Sequence, residues 1–339
     1  MGLLLSACHP TEVKEIWEDR YVEQPTDTLE VIDNWFLDTP QRVMPEAWGA
    51  DAWQPMNLCL ADGELFVADK QGRQLVVLDA RNLTFLRSFS HGGRTEAHDV
   101  YVQGDWVFVA TGTRCEVQVF ERSSGAYLTR LGTGSYQGNV SKNACVAASD
   151  RWVFVRDSKA QNIRVFDRRL LSPNLENHNE VFARLDTKGF FIDSAEEPLA
   201  QSYDMEIVGD SLYAFLDAKG VICAYSLDEV EHRKDETRCV KTTLPKGCRV
   251  YAAAPDRAKQ TVWLSLERDG NRHLAEFTYV DFWHRRFTAP LRTFASNDRH
   301  RFPARPMVAF ADEQLYVLGN NRLDRWNLVN KPTYIIVPR

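Results

Sequence analysis

Residues 55–89 read Pro55-Met56-Asn57-Leu58-Cys59-Leu60-Ala61-Asp62-Gly63-Glu64-Leu65-Phe66-Val67-Ala68-Asp69, a polar turn, Leu75-Val76-Val77-Leu78-Asp79, and then Thr84-Phe85-Leu86-Arg87-Ser88-Phe89. Apolar and polar residues alternate within each short run, and Asp-Gly or charged clusters separate the runs. This is the pattern of strands joined by tight turns. The unit returns with its second strand beginning at Val107, Val153, Leu212, Val262 and Leu315. Each copy is preceded by one more short apolar segment, for example His98–Val102, Met205–Val208 and Met307–Phe310. Four strands in every ~40–60 residues, six times over, predict an all-β chain, a six-bladed β-propeller of four-stranded antiparallel blades. One blade alone leaves both faces wet, whereas blades stacked around an axis bury them and leave few open edges.

Composition agrees. The chain has 339 residues, 44% hydrophobic and 26% charged, with 9 Trp and 11% aromatics, which excludes a disordered polymer. A net charge of −6 is not that of a general nucleic-acid binder, so no nucleic-acid partner is expected. No stretch approaches the roughly 18 apolar residues of a membrane-spanning helix. The expected organisation is a signal-like segment 1–8, a linker 9–27 and the propeller over 28–339, with insertions at 168–200 and 226–237. Residues 11–20 and 226–237 are the only stretches with short helical character. The sixth unit reads as carrying its own outer strand at 333–337. The alternating run Leu29–Leu37 either latches the ring or lies outside it.

The first unit resembles an NHL-type repeat: a Pro, an apolar strand, a Gly turn, a strand ending Val67-Ala68-Asp69 and a third strand ending Val77-Leu78. The resemblance extends over 53–338 in diverged form. The strand-end Asp recurs at Asp157 and Asp217 but is Thr111, Glu267 and Asn320 elsewhere. Neither the Trp-Asp pair of WD repeats nor the per-blade Gly doublet of kelch repeats is present. Some NHL-type propellers are lyases with axial histidines, which makes a lyase or hydrolase at the axis the alternative function.

At the N-terminus, Leu5-Ser6-Ala7-Cys8 resembles a bacterial lipobox, with small residues before the Cys. The resemblance implies a lipid on Cys8 and an extracytoplasmic, lipid-anchored place in the bacterial cell envelope. Six further cysteines remain, an even number that an oxidising compartment would allow to pair. Cys223 and Cys239 fall on consecutive strands of one blade and are expected to bridge if the chain is exported. Cys115 with Cys145 is a weaker second pair.

No His-Glu-x-x-His, Gly-x-Ser-x-Gly, EF-hand or P-loop pattern occurs, so no catalytic residue, metal ligand or cofactor is assigned. The axis, where inner strands converge, is the default ligand site. Aligning the units puts Asn57, His98, Asp99, Asp204, Arg249 and Arg305 at the starts of the inner strands, near the mouth bearing the loops between second and third strands. Those loops add basic residues such as Lys70, Arg73, Arg268, Arg272 and Arg322, which suit an anion. His98 has no histidine at the matching position of other units, and zinc wants three or four protein ligands. The expectation is a monomeric, non-enzymatic propeller that binds a protein or a small anionic ligand and is tethered through Cys8.

Overall fold

The computed structural model describes residues 28–337 apart from 113–115, 133–144, 158–161, 179, 187–203, 217–220, 285, 288, 298–300 and 320. Cys8, the linker 9–27, Cys115 and much of the insertion 168–200 therefore lie outside the described residues. The chain divides into two compact units, residues 37–329 and the paired terminal segments 1–36 with 330–339.

The larger unit is the six-bladed propeller that the repeat predicts. Strands a to d of successive blades are Pro55–Ala61, Glu64–Asp69, Gln74–Asp79 and Phe85–Phe89; Ala97–Gln103, Trp106–Thr111, Val117–Glu121 and Tyr127–Leu131; Cys145–Ala148, Trp152–Asp157, Asn162–Asp167 and Ala183–Asp186; Met205–Val208, Ser211–Leu216, Val221–Ser226 and Val240–Thr243; and Cys248–Asp256, Thr261–Arg268, Asn271–Thr278 and Arg292–Ala295. Blade 6 supplies Met307–Ala311, Gln314–Gly319 and Arg322–Asn330. Every pairing within a blade is antiparallel.

The strand period sets the core. In strand b the second inward position is aromatic in all six blades: Phe66, Phe108, Phe154, Tyr213, Trp263 and Tyr316, each buried. These residues stand directly across from Cys59, Tyr101, Ala147, Glu206, Ala254 and Ala309 of strand a. A large ring in each blade fills the wedge against the next. Burying each is worth about 1.5–3 kcal/mol, so this layer is a main source of radial cohesion.

Ring closure follows the expectation in part. The sheet of blade 6 has five strands: Trp35–Leu37, the end of the run read as a possible latch, pairs with strand c, and so does Gln41–Val43, antiparallel at Leu323, Asp324 and Arg325, whereas 333–337 is not its outer strand. Asp324, 1% exposed, fastens Gln41–Val43 by accepting from Arg42 Nε at 2.8 Å and meeting Arg322 Nε at 2.7 Å. Asp38 adds bonds from Asn327 N at 2.9 Å and Asn327 Nδ2 at 2.6 Å. The reason lies at Lys331-Pro332. A two-residue hairpin turn wants positive φ at its centre, which Gly or Asn supplies and Pro, fixed near −65°, does not. The chain therefore runs on instead of doubling back onto strand c.

In the smaller unit, Thr28–Ile32 pairs antiparallel with Thr333–Val337 in a two-stranded sheet. Asn34 ties its base through bonds with Asn330 Oδ1 at 3.0 Å, Thr333 Oγ1 at 2.7 Å and Lys331 N at 2.9 Å. The expected helix at 226–237 forms as Leu227–Arg233, capped by the Ser226 hydroxyl, with a 3-10 turn at Lys234–Glu236. A five-residue helix, Tyr279–Trp283, was not expected.

The Cys223–Cys239 bridge is corrected. Both thiols are free, and they meet through a side-chain hydrogen bond. Register explains this: Cys223 lies opposite Lys241, so Cys239 is its diagonal neighbour. Diagonal Cα separations of roughly 7–8 Å exceed the disulfide range. The other expected pair, Cys115 with Cys145, has Cys115 outside the described residues.

Candidate functional site

The inner strands enclose a cavity of about 580 Å³ around the axis. It is lined along strands a from Asn57, Asp99 and Asp204 down to the a–b turns, where Asp62, Gly104, Asp256, Arg257 and Asp312 frame its opening. The two levels of its wall follow from strand alternation. Asn57, Asp99 and Asp204 occupy one equivalent position of blades 1, 2 and 4. Two residues further on, Cys59, Tyr101 and Glu206 occupy the next.

The upper level is a hydrogen-bonded belt between blades. Asn57 Nδ2 donates to Asp99 Oδ1, and Asn57 also bonds Asp204. Asp99 Oδ1 accepts from its neighbour Val100 N at 2.9 Å, while Oδ2 accepts from Val146 N of the next blade at 2.7 Å. Asp204 Oδ2 reaches Ala253 N of the next blade at 3.1 Å in the same manner. A short polar side chain at this position thus satisfies a backbone N–H that the neighbouring inner strand would otherwise bury unpaired. At the lower level Glu206 Oε1 accepts from Tyr101 Oη at 2.8 Å and from Ile207 N at 3.0 Å.

These groups are short of positive charge. Burial pushes the Asp99 carboxyl up to about 7, against the bonds from Val146, Val100 and Asn57 that oppose the shift. Asp204 is raised well above the carboxylate range by burial, and then by the charges of Asp99 and Glu206. Burial also takes Glu206 to about 7, with Tyr101, Ile207 and the charge of Arg257 resisting. The Cys59 thiol is pushed up to about 12, first by burial and then by Glu206, so it is no nucleophile at neutral pH. Asp99 and Glu206 are therefore close to their ionisation midpoints at neutral pH, able to donate or accept.

Of the six residues expected at the site, the structure brings Asn57, Asp99 and Asp204 together. His98, Arg249 and Arg305 are not among the described residues that line the cavity. His98 is the bulged residue between the Ala97 and Asp99 pairings, and its ring lies against Gly112. Burial, and then the charge of Lys70, hold it near 4, so it is neutral. Arg249 is exposed, opposite Glu267 in the register and hydrogen-bonded to Tyr251, itself the bulged residue of blade 5. Arg305 precedes strand a of blade 6, and its carbonyl lies by Gly319. The cavity also opens at the a–b turns, the end opposite the expected basic rim. Tyr101, Glu206 and Arg257 were missed. The first two carry a signal that was available, since they stand two residues beyond Asp99 and Asp204 on the same side of their strands. Among the described residues, no group of three or more His, Cys, Asp or Glu is arranged to hold a metal ion.

No family model and no curated protein matches this chain. Among solved structures it is similar to Kuenenia stuttgartiensis Hydrazine Synthase, with a TM-score of 0.49 and 13% identity over 79% of this chain and 74% of that one.

Proposed function

We propose that this chain is a non-enzymatic binding protein of the bacterial cell envelope, anchored by lipid at Cys8, whose propeller takes a small polar ligand in the axial cavity. The observation that carries this reading is the belt itself. Asn57, Asp99, Asp204 and Glu206 are fixed by backbone N–H groups and by Tyr101, and such preorganisation suits recognition. A lining rich in carboxyl groups favours a ligand that presents hydrogen-bond donors, such as a polyol or an amine, over the anion suggested by the loops. The lipobox-like start supports the location, and the Pro55–Asp69 unit supports kinship with diverged NHL-type propellers.

A thermal-shift screen of polyols, amines and matched carboxylates tests the ligand class. Donor-rich compounds should raise the melting temperature of the wild type and not of Asn57→Ala or Glu206→Gln. Stabilisation by carboxylates alone, or a hit indifferent to both substitutions, overturns the assignment. Detergent phase partitioning of the expressed chain and of Cys8→Ala tests the anchor. Partition of both into the aqueous phase overturns it.

One observation favours the alternative of a lyase or hydrolase. Asp99 and Glu206, both held near 7 within one cavity, are poised as a general acid and base. Turnover of any compound that binds, lost in Glu206→Gln, would select that reading.

A further inference from the structure

Cys223 and Cys239 are a pair of unbridged thiols in the outer half of blade 4. Cys223 is 1% exposed on strand c, and Cys239, half-buried, stands just before strand d. They are diagonal neighbours on one face of the sheet, with Lys241 directly opposite Cys223. Hydrogen bonds converge on one of the two sulfurs. Cys239 Sγ accepts from the Cys223 thiol, from Tyr225 Oη and from the Ala224 backbone N–H. Lys241 is close enough for its charge to act on both sulfurs. Three donors and a neighbouring ammonium are a setting for a thiolate, the form in which Cys binds metals.

The separation that is too wide for a disulfide suits a metal bridge. An S–S bond of about 2.05 Å draws the Cα atoms to within about 6.8 Å of one another. Two metal–sulfur bonds of roughly 2.3 Å each span a wider gap. A diagonal of roughly 7–8 Å then needs no movement of the strands. The number of donors selects the ion. Among the described residues, no third His, Cys, Asp or Glu joins the pair in a group that could hold a metal. Structural zinc takes four protein ligands. A monovalent ion with a filled d shell is satisfied by two donors in line, and it prefers soft sulfur.

We propose that Cys223 and Cys239 together bind one soft monovalent metal ion, Cu(I) or Ag(I), as a two-coordinate dithiolate. Binding breaks two S–H bonds, forms two metal–sulfur bonds and releases two protons to solvent, with no change of oxidation state. The complex carries one negative charge, which Lys241 balances. Tyr225 Oη and the Ala224 N–H go on donating to Cys239 Sγ and hold the ligand in place. The site lies on strands c and d, so it does not depend on what the axial cavity binds.

Anaerobic competition of the full chain for Cu(I) against bathocuproine disulfonate, with ascorbate present, tests this. Cys223→Ser and Cys239→Ser should each hold one equivalent of Cu(I) fewer than the wild type, and should lose the matching thiolate-to-copper absorption in the ultraviolet. Cys248→Ser, in blade 5, should hold as much as the wild type. Tyr225→Phe should keep the stoichiometry and weaken binding by about 10–100-fold, the usual cost of losing a group that orients a metal ligand. Because Cys223 is buried, Cys239→Ser with a melting temperature close to wild type is the deciding variant. A wild type that takes no Cu(I) from the chelator overturns the proposal. So does a folded Cys239→Ser that holds as much Cu(I) as the wild type, or an equivalent of Zn(II) held at the same cysteines as tightly as Cu(I).

Discussion

Replacing Glu206 by Gln should stabilise this protein, by an amount that grows as pH rises from about 4.5 to 7 and levels off above it. Glu206 Oε1 accepts from Tyr101 Oη and Ile207 N, and the Gln carbonyl can keep both bonds. What changes is the ionisable proton. Burial raises the Glu206 carboxyl from 4.5 to about 7. A carboxyl raised on folding favours the native state fully below pH 4.5 and loses that contribution as pH climbs through 7. The shift corresponds to about 3 kcal/mol of penalty at pH 8 for a sealed group. Glu206 is only half-buried by accessible surface and faces the cavity, so solvent screening brings this to about 1–2 kcal/mol. Comparing wild type with Glu206→Gln at each pH cancels the opposite trend of neutral His98, which favours the native state more as pH rises from 4 to 6.5. The assay is urea unfolding at pH 5, 6, 7 and 8, read by tryptophan fluorescence. The expected outcome is a small difference at pH 5 that grows to ~1–2 kcal/mol in favour of Gln at pH 8. A Gln variant that is less stable at pH 8, or a difference independent of pH, would refute the claim that Glu206 is buried without compensation.

Arg292→Ala should cost about 3–5 kcal/mol, because it strands Glu276, whose side chain is 2% exposed, without its guanidinium partner; a calorimetric melting temperature close to wild type would count against it. Gly112→Ala drives a methyl group into the His98 ring, and a loss of about 1–3 kcal/mol is expected in chemical denaturation, largely relieved by His98→Ala in the same chain. Cys223 and Cys239 should each take up iodoacetamide when the purified protein is unfolded without reductant, and recovery of the disulfide-linked peptide would contradict the diagonal register.

The blades were legible in the sequence because short apolar runs separated by polar turns recur in a fixed order, and six copies reinforce one another. The latch was legible in part. The end of the alternating run Leu29–Leu37 does pair with the last blade, but Gln41–Val43 was missed: it has three residues, only Val43 buried, and such a strand exists through its partners and not through a pattern of its own. At the site, Asn57, Asp99 and Asp204 stood out as polar residues in apolar strands. His98 appeared equivalent to them because strict alternation hides a bulge, and only pairing reveals that one residue is skipped. Arg249 and Arg305 misled for a related reason: at the end of an inner strand, position in sequence does not determine which way a long side chain leaves the sheet. The end at which the cavity opens depends on how the a–b turns splay around the axis, a property of the closed ring that no single repeat encodes.

The latch also governs the order of events in folding. Gln41–Val43 leaves the ribosome well before its partners Leu323–Arg325. Each blade can zip from hairpins of neighbouring segments on the microsecond scale, roughly 1–10 μs per hairpin. The final blade must wait for a contact that spans most of the chain, and long-range pairings of this kind slow folding. Until then strand c of blade 6 is an open edge beside a nearly finished ring, a template for the same strand of another nascent chain. The Asp324 pairing with Arg42 therefore acts at the last moment of assembly, as a charge-specific selector for the chain's own N-terminal strand over a stranger's.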